Sequence, residues 1–121
     1  MLVVKDVEAS SRWYQKLLGA QSGHGGPEFE MIMRDDQVML YLHHSDTEEH
    51  PGITDPSTGT PGLGVLLYVR DPDVEGVHAR ALEMEAEVLE EPHENPLAQQ
   101  VEFSVRDPDG YALTIYRRIQ G

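Results

Sequence analysis

The stretch FSVRDPDGYALTIY, residues 103–116, decides how we interpret the fold of this chain. Apolar and polar residues alternate on both sides of its centre, and alternation with a period of two indicates half-buried β-strands. The central DPDG, residues 107–110, consists of residue types that favour a tight turn. The sequence therefore predicts a β-hairpin with two different faces.

The two faces of this hairpin have different expected roles, because successive side chains of a strand point to opposite sides. We expect one face to pack in the core. It carries Phe103, Val105, Tyr111, Leu113 and Ile115. The other face is expected to be free for chemistry and carries Glu102, Ser104, Ala112, Thr114 and Tyr116.

Length and composition limit the possible classes of protein. The chain has 121 residues, enough for one domain or for two small halves that share a core. It has neither an apolar run of the roughly 20 residues that cross a bilayer nor a secretory signal, so we expect a cytoplasmic protein without a membrane partner. The absence of cysteine excludes disulfides, zinc-thiolate sites and cysteine nucleophiles.

The chain is strongly acidic, with 22 Asp and Glu residues, 9 Lys and Arg residues and a formal net charge of -13. Such a charge repels phosphate backbones and attracts cationic ligands, so we expect no nucleic acid partner. A simpler interpretation is that the acidity only keeps the protein soluble.

The first half of the chain is predicted to begin with a strand and a helix. A β-prone run at residues 2–4 precedes residues 7–18, whose apolar positions recur with helical spacing between an N-cap, Asp6, and a stop, Gly19. The elements predicted next are a Gly-rich loop at 19–27 and a hairpin of strands 29–34 and 38–43 joined by residues 35–37.

The second half is predicted to repeat this order after residues 45–62, whose Pro and Gly content is typical of a linker or lid loop. The elements predicted next are a strand at 63–69, a helix capped by residues 71–73, a strand at 87–91 ended by Pro92, a polar loop at 93–98 and the hairpin described above.

The two halves also share short sequences, since VKD at residues 4–6 matches VRD at 69–71. We therefore predict an α+β fold of two βαβββ modules, residues 1–44 and 63–121, in one compact domain. We expect the modules to form a cup-shaped mixed sheet with helices on its convex face. An ordinary α+β sandwich whose similar segments arise by chance is the alternative.

Three segments of the chain resemble the vicinal oxygen chelate superfamily, which includes glyoxalase I, bleomycin-resistance proteins and extradiol dioxygenases. They are VKDVEASSRWYQKLLGA near the start, VRDPDVEGVHARAL in the middle and VRDPDGYALTIYR at the end. The resemblance implies paired βαβββ modules that form a cup and, usually, a homodimer. In the enzymes of this superfamily, His and Glu side chains hold a divalent metal in the cup.

Other residues occupy the positions at which the resemblance places metal ligands. The His seven residues before the Asp that begins each helix corresponds to Gly64 in the second half and would precede Met1 in the first. The Glu of the last strand corresponds to Thr114, and its counterpart in the first half to Tyr41, or to Leu40 after a slip of one residue. We therefore expect no metal and no cofactor.

The concave face of the cup is the predicted ligand site. By strand parity, its ligand-binding residues are Met39, Tyr41, His43, Leu66, Tyr68, Glu102, Thr114 and Tyr116. Aromatic walls with a few polar groups and one carboxylate are typical of a site for a small planar or cationic molecule. Each Tyr or Met has core packing as its simpler explanation.

Glu102 is the candidate catalytic residue, as a general base, if the protein is an enzyme. A carboxylate on an apolar face requires a partner, for which we expect Arg34, Arg106 or a ligand cation. A structural ion pair at the rim of the cup is the alternative role. A metal held by His43 and Glu102 is geometrically possible, but two ligands make a poor catalytic site.

These observations lead to three functional hypotheses. The first is a metal-free small-molecule-binding protein, similar to bleomycin-resistance proteins, that sequesters an aromatic or cationic ligand. The second is a lyase, isomerase or dioxygenase of the same superfamily that uses a metal held by other ligands, or Glu102 as a base. The third is a structural or regulatory dimer without a ligand.

Overall fold

The computed structural model describes residues 1–44 and 65–119. The chain divides into two compact units, Met1–Pro61 and Gly62–Gly121. Each unit has one helix and one four-stranded sheet in the order strand, helix, three strands, so the predicted α+β fold with two βαβββ modules is confirmed. The predicted linker or lid at residues 45–62 lies outside the described residues.

The first unit consists of β1 Leu2–Val4, α1 Val7–Leu18, β2 Gln21–His24, β3 Phe29–Arg34 and β4 Gln37–His44. Its sheet has the order β1-β4-β3-β2, in which only β1 and β4 are parallel. The helix has the predicted bounds because the Asp6 carboxylate accepts a hydrogen bond from the Ala9 N–H at 3.0 Å, and Gly19 ends it at a φ of 63°. The apolar side of α1 packs on β3 and β4, where Ile32 and Leu42 are fully buried.

Two predictions for the first unit were wrong in detail. The segment predicted as a loop at 19–27 contains β2, an edge strand whose side chains are all exposed, so it lacks the alternation that reveals half-buried strands. The hairpin turn consists of Asp35 and Asp36 alone, with φ values of 51° and 63°, and Gln37 already belongs to β4. Two consecutive positive φ values are typical of a type I′ turn, whose twist matches that of the flanking strands.

The second unit consists of β5 Leu66–Arg70, α2 Val74–Glu83, β6 Glu87–Asn95, β7 Gln100–Arg106 and β8 Ala112–Arg118. Its sheet has the order β5-β8-β7-β6, again with one parallel pair, β5 and β8. Asp73 caps α2 by accepting a hydrogen bond from the Gly76 N–H at 3.0 Å. The fully buried residues of α2, Val74, Val77 and Ala81, pack towards Phe103, which also contacts the His78 ring.

Strand β6 corrects the prediction that Pro92 ends a strand and that a polar loop follows at 93–98. The strand continues through Pro92 to Asn95. Pro92 is tolerated because β6 is an edge strand and its pairing with β7 shifts register between Glu90 and His93. A proline at such a bulge need not donate a hydrogen bond to the neighbouring strand.

The hairpin predicted around the turn at residues 107–110 is confirmed as β7 and β8. Phe103 pairs with Ile115 and Val105 with Leu113, and all four side chains are buried. Asp107 stabilises the turn, since its Oδ1 accepts hydrogen bonds from the backbone N–H groups of Asp109 and Tyr111 at 2.9 and 2.8 Å. Neither helix in the described part of the chain is long and apolar enough to span a bilayer.

Candidate functional site

The second sheet has a face away from α2 that carries the five predicted site residues of this unit. These are Leu66, Tyr68, Glu102, Thr114 and Tyr116, which alternate with residues packed on the helix side. The rings of Tyr68 and Tyr116 meet edge to face with their centroids 6.0 Å apart, and Tyr68 is 59% exposed. This pair offers an aromatic surface on which a planar ligand can stack.

A pair of hydroxyl groups lies beside the tyrosines. Thr114 pairs with Tyr68 on one side and with Ser104 on the other. The Ser104 and Thr114 hydroxyl oxygens are 2.8 Å apart in a hydrogen bond, and both residues are buried. Thr114 is therefore a neutral, already bonded group at the position where the resemblance places a carboxylate ligand.

Glu102 lies opposite Tyr116 and keeps only 12% of its side chain exposed. Asn95 Nδ2 donates a hydrogen bond to its Oε1 at 3.3 Å, and Gln100 Nε2 donates one to its Oε2 at 3.0 Å. His93 Nε2 is a more distant neighbour, 3.8 Å from Oε1. Two amides thus satisfy both oxygens of this carboxylate.

The two arginines expected to pair with Glu102 have other partners, so that part of the prediction was wrong, and a ligand cation as partner stays a prediction. Arg106 Nε forms an ion pair with Glu87 at 2.8 Å, and Arg106 Nη1 donates to the Gly110 carbonyl. Arg34 belongs to the first unit, where it donates to the Leu18 carbonyl. The prediction failed because Asn95 had been assigned to a loop, whereas the longer β6 brings it next to β7.

The first sheet has a corresponding face away from α1, which carries Tyr41 and His43 of β4. Phe29, which pairs with His43 across β3 and β4, was missing from the predicted site. Its ring centroid lies 5.7 Å from that of Tyr41 and 6.4 Å from that of His43. Tyr41 is 40% exposed, whereas His43 is buried and its Nδ1 lies 3.0 Å from the His44 carbonyl oxygen. The alternation of β3 and its pairing with β4 in the hairpin could have placed Phe29 beside His43 in the predicted site.

The last of the eight predicted site residues, Met39, lies at an irregularity of β4. Ile32 pairs with Leu40 but Met33 pairs with Val38, so Met39 is the extra residue of a bulge and is half-buried. Parity arguments do not carry across a bulge, because the extra residue breaks the alternation. Val38 thereby takes the place opposite Met33.

The divalent metal implied by the resemblance does not fit the residues at the corresponding positions. Thr114 offers a bonded hydroxyl and Tyr41 a phenol, and neither is a usual ligand of such an ion. Within residues 1–44 and 65–119, no three His, Asp or Glu side chains are placed to hold a metal ion together. His43 and Glu102, the two-ligand alternative, belong to different units.

Solved structures share this architecture over nearly the whole chain. A glyoxalase/bleomycin resistance protein/dioxygenase family enzyme from Burkholderia phytofirmans PsJN has 19% identity and a TM-score of 0.76, with 95% of this chain and 92% of that chain covered. TioX from Micromonospora sp. ML1 has 15% identity and a TM-score of 0.72, with 97% and 94% covered. Virulence protein STM3117 from Salmonella typhimurium has 20% identity and a TM-score of 0.70, with 97% and 91% covered.

At these identities the solved structures show the fold alone. A comparison with functionally curated proteins found no significant match. The family model described as the Glyoxalase/Bleomycin resistance protein/Dioxygenase superfamily matches residues 1–115, which is almost the entire chain. Together with the two βαβββ modules, this match shows that the chain belongs to the glyoxalase/bleomycin resistance protein/dioxygenase superfamily.

Proposed function

We propose that this protein is a metal-free small-molecule-binding protein that sequesters an aromatic or cationic ligand, in the manner of the superfamily's bleomycin-resistance proteins. Its mechanism is binding alone, without a bond made or broken. The observation that carries the proposal is the exposed Tyr68 ring, which meets Tyr116 on the face away from α2. We further propose that the protein acts in the cytoplasm as a homodimer, for which light scattering would give twice the chain mass of 13.6 kDa.

The chemistry of this face favours binding over catalysis. Thr114 and Ser104 bond to each other, so neither hydroxyl is poised beside a base. Glu102 accepts hydrogen bonds from two amides, which hold it as a fixed negative charge next to Tyr116. Aromatic rings with a nearby fixed carboxylate are suited to a planar or cationic group.

The test uses benzyltrimethylammonium, an aromatic cation, as the probe. We expect the parent protein to bind it and to show a higher melting temperature in its presence, because a ligand that binds only the folded state stabilises that state. Tyr68→Ala and Glu102→Gln should each weaken the binding about tenfold, the second by removing a charge-assisted contact. Leu97→Ala, which truncates a side chain that is 97% exposed in the same unit, is the control and should bind like the parent.

Metal content separates this proposal from its enzymatic alternative. We expect elemental analysis of the purified protein to find no stoichiometric divalent metal. A lyase, isomerase or dioxygenase would be favoured if the analysis finds about one metal ion per chain and if a chelator removes both the metal and a catalytic activity. Equal probe affinities for the parent, Tyr68→Ala and Glu102→Gln proteins would contradict the proposed binding face.

A further inference from the structure

Three arginines surround one cleft at the carboxyl ends of the parallel strands β5 and β8. The cleft has a volume of about 490 Å³ and is lined by Arg70, Pro72, Arg117 and Arg118. These arginines make up a third of the 9 Lys and Arg residues of a chain whose formal net charge is -13. Positive charge is thus concentrated at one place on an otherwise acidic protein.

Two of the three guanidinium groups have no carboxylate partner among residues 1–44 and 65–119. Arg117 Nη2 pairs with Glu75 Oε1 of α2 at 2.8 Å, and this hydrogen bond lowers the pKa of Glu75 and raises the pKa of Arg117. Arg70 and Arg118 are exposed, and neither forms an ion pair with any acidic residue in ranges 1–44 and 65–119. Asp71, next to Arg70, is buried and accepts a hydrogen bond from the Asp73 N–H at 2.9 Å.

These two arginines lie next to the tyrosine pair. Arg70 follows Tyr68 by two residues and pairs with Tyr116, and Arg118 follows Tyr116 by two residues. Residues two apart on a strand point to the same face about 7 Å from each other. The face away from α2 therefore passes directly from an aromatic surface to two unpaired cations.

The charged side chains on this face differ in whether other protein groups form hydrogen bonds to them. Both oxygens of Glu102 already accept hydrogen bonds from Asn95 and Gln100. Arg70 and Arg118 form no side-chain hydrogen bond or ion pair with the rest of the described chain, and a guanidinium group binds carboxylate or phosphate with two parallel hydrogen bonds. The two arginines thus offer a site for an anion on the same face on which Glu102 offers a site for a cation.

We propose that the cleft at Arg70 and Arg118 binds the anionic group, a carboxylate or a phosphate, of a ligand whose aromatic part contacts Tyr68 and Tyr116. The inference rests on the proposed function and narrows its ligand to an aromatic molecule with an anionic group. Arg117 is the third cation of the cleft and is held by Glu75. One two-residue strand step separates the backbone positions of Tyr68 and Arg70 by about 7 Å, so their long side chains can reach the ring and the anion of the same small molecule.

The experiment compares phenylacetate, phenyl phosphate and the neutral phenylacetamide at constant ionic strength. NMR titration follows the Nε–H signals of Arg70 and Arg118 and the ring signals of Tyr68 and Tyr116. We expect an anionic probe to shift both the arginine and the tyrosine signals. It should bind about tenfold more weakly to the double variant Arg70→Gln/Arg118→Gln. The tighter of the two anions identifies the carboxylate or the phosphate as the preferred group.

The control is Arg12→Gln/Lys16→Gln, which removes two exposed positive charges from α1 and should leave the affinity unchanged. If both double variants bind the anionic probe equally weakly, the loss of affinity comes from the change in net charge, and the inference is overturned. Phenylacetamide binding as tightly as phenylacetate would overturn it while leaving the proposed function in place. Inorganic phosphate that shifts Arg70 and Arg118, with no aromatic probe shifting the tyrosines, would support the anion site and contradict the proposed function.

Discussion

Gly23 shows how a single residue shapes one face of the first sheet. It is the extra residue of a bulge in β2, between Ser22 and His24. A Cβ atom at this position would lie 2.3 Å from Met33 Cγ and 3.5 Å from Met31 Cε. The two methionines therefore occupy the space above the glycine, and their positions on the face away from α1 depend on its lack of a side chain.

The first prediction follows from this close approach. Gly23→Ala should lower the free energy of unfolding by about 1–3 kcal/mol, because Met33 must leave its rotamer or the bulge must move. Gly26→Ala is the matched control, since a Cβ there meets no atom within 4 Å. The control should change stability by less than about 1 kcal/mol. Urea unfolding followed by circular dichroism measures both, and equal losses in the two variants would contradict the explanation.

Glu102 shows what single-residue reasoning could predict about the site and what it could not. Strand parity placed it on the same face as Tyr116, and the register of β7 and β8 agrees. Its partner Asn95 could not be predicted, because it belongs to β6, which contains Pro92 and two register shifts. A bulge moves every later pair by one residue and leaves little local sequence signal.

The two helices differ in how they end, although they occupy equivalent places in the repeat. After α1, Gly19 adopts a left-handed conformation with a φ of 63°. After α2, Glu85 adopts a similar conformation with a φ of 56°. A side chain with a Cβ is strained in this conformation, whereas glycine is not. The second helix therefore ends at a less favourable residue than the first.

The second prediction is that Glu85→Gly stabilises the protein. The free energy of unfolding should rise by about 1 kcal/mol because the strain at the positive φ is relieved. Ala79→Gly introduces the same residue at an exposed position inside α2 and should instead lower it by about 1 kcal/mol. Thermal or urea unfolding distinguishes the opposite signs, and a loss of stability in Glu85→Gly would show that its side chain has a favourable contact.

At the level of elements, a helix or strand could be predicted where buried residues recur with a regular spacing in the sequence. The bounds of α1 and β3 match the predicted residues because buried residues recur with helical spacing in α1 and alternate with half-buried residues along most of β3. Strand β2 was missed because all four of its residues are exposed. Strand β6 was cut short because proline usually excludes a central strand, but β6 lies at the sheet edge.

At the level of the whole chain, the internal repeat was sufficient to predict two modules, and the resemblance of three segments was sufficient to predict the superfamily. The ligand could not be predicted in the same way, because its chemistry depends on groups from several strands. Arg70 and Arg118 illustrate this point, since parity aligns them with Tyr68 and Tyr116 while only the ion-pair geometry shows them without carboxylate partners. The overall charge of the chain favours a cationic ligand, whereas the proposed arginine cleft would take an anionic group.

The last prediction concerns the formal net charge of -13. Folding brings these charges closer together than in the unfolded chain, so their mutual repulsion destabilises the compact state. Raising NaCl from about 10 mM to about 100 mM shortens the screening length from about 30 Å to about 10 Å, so the free energy of unfolding in urea at neutral pH should increase.

Two controls separate charge repulsion from other effects of salt. Near pH 4.6, the isoelectric point expected from the sequence, the chain has little net charge and the same salt increase should no longer stabilise it. Arg70→Gln/Arg118→Gln should keep the full salt effect at neutral pH, because the effect arises from the whole acidic surface. If salt no longer stabilises this double variant, chloride binding in the arginine cleft explains the stabilisation of the parent. If salt stabilises the parent equally at both pH values, repulsion between carboxylates does not limit the stability of this fold.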